Sequence, residues 1–123
     1  MLKRALAYGL GLGQAANGVV MLAAGQRWYE SVPGVTMTGP YNPHFVADVG
    51  AAYFAAGLAV AARGWRPAFW PAAVAGSAFF VLHALIHVAG LAQGHTHDAA
   101  SDIALVIVPS IISLWVSFPT KGH

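Results

Sequence analysis

The sequence predicts an all-α fold, an integral membrane four-transmembrane-helix bundle with both termini cytoplasmic. Three observations lead there. The chain is 58% hydrophobic and only 8% charged, with a mean hydropathy of +0.62, whereas a soluble domain carries about 25% charged residues. Four apolar stretches of near-spanning length fill its 123 residues as a single domain, 1–123, with little left over. Five of the six Lys/Arg (Lys3, Arg4, Arg63, Arg66 and Lys121) fall on one side of those stretches and only Arg27 on the other, which by the positive-inside rule makes that side cytoplasmic.

This composition excludes a soluble enzyme, a nucleic-acid-binding module and a disordered tail. The basic balance reflects few acids rather than a basic run, so nucleic acid is not an expected partner. Absence of cysteine removes disulfides, Fe–S clusters and thiolate metal sites.

The spans are expected at 5–25, 44–62, 67–92 and 101–118. The first carries Gln14 and Asn17 at its centre, which argues for a retained helix over a signal peptide. Asn42 followed by Pro43 is a helix start, an N-cap oxygen with proline at the first helical position. Pro109 falls inside the fourth span and is expected to kink it. The loop 26–43, rich in proline and glycine, is expected to turn repeatedly and lie on the outer membrane surface. The inner connection at 63–66 reads as a tight turn without room for a site. Gly9, Gly11 and Gly13 give a Gly-x3-Gly pair near the inner end of the first span, a face able to pack on another helix.

The ionisable residues are unevenly placed. All four acids and five of six histidines lie on the outer half. His83 and His87 stand one turn apart on one face of the third span, His87 about 6–8 Å and His83 about 12–14 Å below the outer interface. His44 and Asp48 have the same spacing on the second span. Ionisable groups within a span normally face the bundle interior. With Ala51, Ala52, Ala55 and Ala59 on one helix and Gly76 and Gly90 on the other, these two helices are expected to face each other. Asp102, beside Ser101 at the start of the fourth span, is accounted for by the helix dipole.

Imidazole and carboxylate ligands suit Zn, Cu, Ni or Fe. The expected site is therefore an outward-facing metal pocket of His44, Asp48, His83 and His87, in a metal-handling or redox role. His95, His97, Asp98 and Asp102 form a second tier nearer the surface. Haem b between histidines of two helices is a variant of that reading. The alternatives are a quinone or proton-relay pocket, and a non-catalytic accessory or scaffold subunit of a homo-oligomer or larger membrane complex. The pattern leaves open whether the chain is an enzyme. The expected location is the inner (cytoplasmic) membrane, with the lipid bilayer as partner.

The order of elements resembles the small bacterial four-helix membrane proteins of the DoxX-like type. The stretch Trp28-Tyr29-Glu30-Ser31-Val32-Pro33-Gly34-Val35, continued by Thr38-Gly39-Pro40-Tyr41-Asn42-Pro43-His44-Phe45-Val46-Ala47-Asp48-Val49-Gly50, is similar to segments of uncharacterised bacterial membrane proteins. The resemblance implies the four-helix architecture and assigns no site residue.

Overall fold

The computed structural model describes residues 1–95 and 98–120; His97, Lys121 and His123 lie outside them. Helix α1 (Leu2–Ala23) is followed by a short α2 (Gly25–Ser31) and a 3-10 turn (Val35–Thr38). Then come α3 (Pro43–Trp65), a 3-10 turn (Pro67–Phe69) and α4 (Trp70–Ala92). The last stretch is one continuous helical rod, α5 (Ala99–Asp102), a π-helical turn (Ile103–Ile107) and α6 (Val108–Ser117). Four helices, Leu2–Ala23, Pro43–Trp65, Pro67–Ala92 and Ala99–Ser117, are long and apolar enough to cross a membrane. They run up, down, up, down, with α1 against α3, α3 against α4, α4 against α6, and α6 back against α1. No strand occurs among the described residues.

The helix starts follow local chemistry. Asn42 caps α3, its side-chain oxygen accepting from Phe45 N–H at 3.1 Å, with Pro43 at the first position. The first apolar run breaks at Ala24, where φ −141° and ψ 47° leave the helical region, and the chain turns into α2. Trp28 Nε1 then donates to Asn17 Oδ1 at 2.9 Å, so a polar residue of α1 holds the surface helix rather than a neighbouring span. Beyond α2, Gly34 at φ +84° and Gly39 at φ +135° supply turns that side chains disfavour.

The tightest packing is backbone on backbone. Gly11 and Gly18 of α1 meet Gly57 and Gly50 of antiparallel α3. A Cβ added to Gly11 would stand 2.6 Å from the Gly57 oxygen, and one on Gly18 would stand 2.5 Å from the Gly50 oxygen. Gly64 continues the row against Tyr8 N and Arg4 O, each 2.7 Å from a Cβ there. The glycines of each helix lie seven residues apart, two turns, and so form one face. Gly9 and Gly13 meet nothing within 4 Å and point away from the chain's own helices.

Under this seam sits a small core of Ala7, Ala56, Val60, Phe80 and Val116. The larger apolar side chains Leu82, Leu85, Ile86 and Ile111 are exposed, an arrangement suited to hydrocarbon rather than water. Where lipid tails are as apolar as leucine, hydrogen bonds between helices replace the hydrophobic drive. Buried serines of α6 supply them. Ser110 Oγ donates to Phe80 O (3.0 Å) or Val106 O (2.6 Å), and Ser117 Oγ to Ala73 O (3.1 Å) or Ser113 O (2.7 Å). Gln14 Nε2 donates to Ser113 Oγ at 3.1 Å and ties α1 to α6.

Gly57→Val forces α1 and α3 apart and is expected to cost about 1–3 kcal/mol or more. Gly13→Val, on the open face, is expected to stay within about 0.5 kcal/mol of wild type. Loss of helicity on titration with a denaturing detergent measures both.

Candidate functional site

The geometry brings together His83, His87 and Asp102, with Tyr53 and Phe79 around them. His83 and His87 occupy successive turns of α4, their rings edge to face with centroids 4.8 Å apart. His87 Nδ1 lies 3.0 Å from Asp102 Oδ1, with side chains 28% and 23% exposed. Deeper in the helix, the Phe79 ring stacks on His83 at 5.9 Å and the Tyr53 ring meets it edge-on at 5.7 Å. Beneath lies Phe80, packed against Tyr53 at 5.4 Å and fully buried.

His44 and Asp48 do not join this group. They pair with each other, Nε2 to Oδ2 at 3.3 Å, on the exposed side of α3, with 88% and 66% of their side chains open. The reason is the rotation of α3. Gly50 and Gly57 must face α1, and Asp48, two residues from Gly50, sits about 200° around the helix from it. The expectation that α3 and α4 face each other does hold, since a Cβ on Gly76 would stand 2.8 Å from the Ala56 oxygen and 2.9 Å from Ala59 Cβ. That contact uses a different part of α3 from the one bearing His44 and Asp48.

Asp102 is thus not accounted for by the helix dipole alone; it is the carboxylate partner of His87. Sequence periodicity misses this because of the π turn. Proline at 109 has no N–H for the Leu105 carbonyl, and its ring crowds that oxygen. The chain widens instead, with Val108 N–H bonded to Ile103 O, a span of five residues. Asp102 and Ser110 are eight residues apart, while the α4 groups they meet, His87 and the Phe80 carbonyl, are seven apart. The π turn absorbs the extra residue and keeps Asp102 and Ser110 on one side of the rod. Through this turn Pro109 sets the register of the last helix.

The second tier is divided. His95 is exposed, and its backbone N–H closes the end of α4 on Gly90 O at 2.9 Å, with Gly94 at φ +69°. Asp98 caps α5, accepting from Ser101 N–H at 3.0 Å and Ser101 Oγ at 2.8 Å. The backbone N–H, then the hydroxyl, holds the Asp98 carboxyl below its ordinary range. Among the described residues, no group of three or more His, Asp or Glu is placed to hold a metal ion. The sequence did not single out Tyr53. Its signal was its place on the face of α3 shared with Ala56 and Val60.

With Asp102 ionised, His87 Nδ1 carries the proton of the shared hydrogen bond and Nε2 keeps its lone pair. The direct comparisons do not extend this reading: no known protein family, curated protein or solved structure matches the chain.

The depressed Asp98 carboxyl implies a pH response. Its contribution is full above the ordinary carboxylate pKa and is lost as pH falls through Asp98's own lower value. Exchange of the Ser101 amide is expected to accelerate over that window in wild type. In Asp98→Asn, which keeps a capping oxygen without a titrating group, the acceleration is expected to be absent.

Proposed function

We propose that the protein is a multi-pass protein of the cytoplasmic membrane, with both termini in the cytoplasm. In this reading Asp102, His87 and His83 exchange protons between the outer surface and a lipid-soluble ring, of the quinone class, at the depth of His83 and Tyr53. The observation that carries this reading is the 3.0 Å His87–Asp102 pair with the His83 ring 4.8 Å away on the next turn. Asp102 lies nearest the helix start, so a proton arriving from the outer side reaches the pair first. Asp102 takes it up and passes it to Nδ1 of His87 in the Nε2–H tautomer, which releases the Nε2 proton toward His83 and is left in the Nδ1–H form.

The relay stops at His83. Below it Phe80, Ala56, Val60 and Val116 form an apolar plug without a titratable group, so a path across the membrane is not supported. A proton carried to this depth needs an acceptor already in the bilayer, and Phe79 and Tyr53 offer aromatic rings against which a flat molecule can stack.

A decyl-chain quinone added to the protein in nanodiscs is the probe. Wild type is expected to bind it, His83→Ala and Asp102→Asn to weaken binding at least about tenfold, and His44→Ala to leave it unchanged. Equal binding by all four proteins, or none by wild type, contradicts the reading and leaves an accessory or scaffold role.

A metal ion is a second reading, favoured by one observation. A carboxylate on Nδ1 is the usual orienting partner of a metal-binding histidine, and it leaves His87 Nε2 available. Stoichiometric uptake of Zn, Cu, Ni or Fe, or a haem Soret band, lost in His87→Ala and kept in His44→Ala, would replace the proton relay by this reading.

A further inference from the structure

The opposite end of the bundle holds a buried charge with no carboxylate side chain near it among the described residues. Arg63 stands in the last turn of α3, only 3% exposed, and it is the one charged residue among the described ones to be buried. Its Nε and Nη1 atoms are buried without a hydrogen-bond partner. The segment 63–66 is therefore not merely a tight turn, because Arg63 and Gly64 belong to the helix and turn inward. Neighbouring cations behave differently. Arg66 is exposed and lies over the Trp65 ring at 4.5 Å, and Arg4 donates to the Gly64 and Trp65 carbonyls at 3.2 and 3.0 Å.

A guanidinium does not lose its proton in a protein, so burial cannot neutralise Arg63. The chain offers it no carboxylate side chain. Glu30, Asp48, Asp98 and Asp102, all four acids, belong to the other end of the bundle. Arginines near the end of a span ordinarily extend to the interface, yet this one is buried.

We propose that Arg63 receives a phosphate-bearing anion at the mouth of the bundle, either the headgroup phosphate of an anionic phospholipid or free inorganic phosphate. Nε and Nη1 each leave an N–H without an acceptor, and phosphate oxygens are strong acceptors for guanidinium N–H groups. Arg63 lies two residues, about 3 Å, from the end of α3. Trp65, Trp70, Trp115 and Phe118 are exposed at the same end, in the pattern of an interfacial aromatic belt. A phosphate at headgroup depth is the anion nearest to hand. Lys3 is a second cation at this end, its Nζ 4.8 Å from the Trp115 ring centre and 3.5 Å from Phe118 O. It stands one turn before Ala7, which packs with Val60 in the core, and Arg63 follows Val60 by three residues. The proposal is independent of the proton relay; only its lipid arm relies on insertion in a bilayer.

The test uses the full chain purified in a neutral detergent, in two arms. Native mass spectrometry compares retention of phosphatidylglycerol and phosphatidylcholine. Thermal unfolding compares inorganic phosphate with chloride at equal ionic strength. Wild type is expected to retain phosphatidylglycerol at least tenfold over phosphatidylcholine, with Arg63→Met losing that preference and Arg66→Gln keeping it. Stabilisation by inorganic phosphate, absent in Arg63→Met, without lipid preference would identify free phosphate as the source. If Arg63→Met does not fold, Arg63→Lys keeps the charge without the fork and is expected to bind about tenfold more weakly. The proposal fails if wild type responds in neither arm, if the Arg63 variants match wild type, or if only an acidic polypeptide is retained.

Discussion

The contact that governs the molecule is the seam where the backbones of α1 and α3 touch through Gly11, Gly18, Gly50 and Gly57. A helix that meets its neighbour through ordinary side chains can roll to suit other demands. Here any roll brings a Cβ into the other backbone, so the angular setting of α3 is fixed before its polar residues are considered. Fixing it sends His44 and Asp48 to the open side and puts Tyr53, Ala56 and Val60 toward α4 and the core. His83 and His87 consequently find aromatic neighbours where a carboxylate of α3 had been expected.

The carboxylate comes instead from the fourth span, through a second backbone device. A regular helix from Asp102 to Ser117 would place either the serines or the aspartate against α4, but not both. Pro109 removes one hydrogen bond, the π turn Ile103–Ile107 inserts one residue of extra rotation, and both sets of contacts form. A π turn of this kind is destabilising by itself. It is held by serine hydrogen bonds on one side and the Asp98 cap and His87–Asp102 pair on the other. The two ends of the bundle then differ in kind, one carrying the acids and paired histidines, the other Lys3, Arg4, Arg66 and the buried Arg63.

The helices themselves were legible in the sequence because length and hydropathy suffice for them. The expected 44–62 and 67–92 lie within the observed Pro43–Trp65 and Pro67–Ala92, and the Asn42–Pro43 start is as its chemistry requires. The pairing of side chains between helices was legible only in part. The His83–His87 face was set by spacing within one helix and survives. Joining it to His44 and Asp48 needed the rotation of α3, which depends on glycines seven residues apart on two different helices. Of the three glycines near the inner end of the first span, Gly11 lies in the seam, while Gly9 and Gly13 meet nothing within 4 Å among the described residues. Asp102 was obscured by a change of period, and no count made at 3.6 residues per turn crosses a π turn correctly. Arg63 was hidden by its place beside a turn, where exposure is the ordinary expectation.

The central claim is that α3 is turned by the glycine seam and leaves Asp102 as the partner of His87. Because the chain has no cysteine, paired cysteine replacements test it without background. The double variant His87→Cys with Asp102→Cys is predicted to form an intramolecular disulfide readily under mild oxidation in membranes, and Asp48→Cys with His87→Cys is predicted not to. Efficient cross-linking of positions 48 and 87, with little between 87 and 102, would contradict the account.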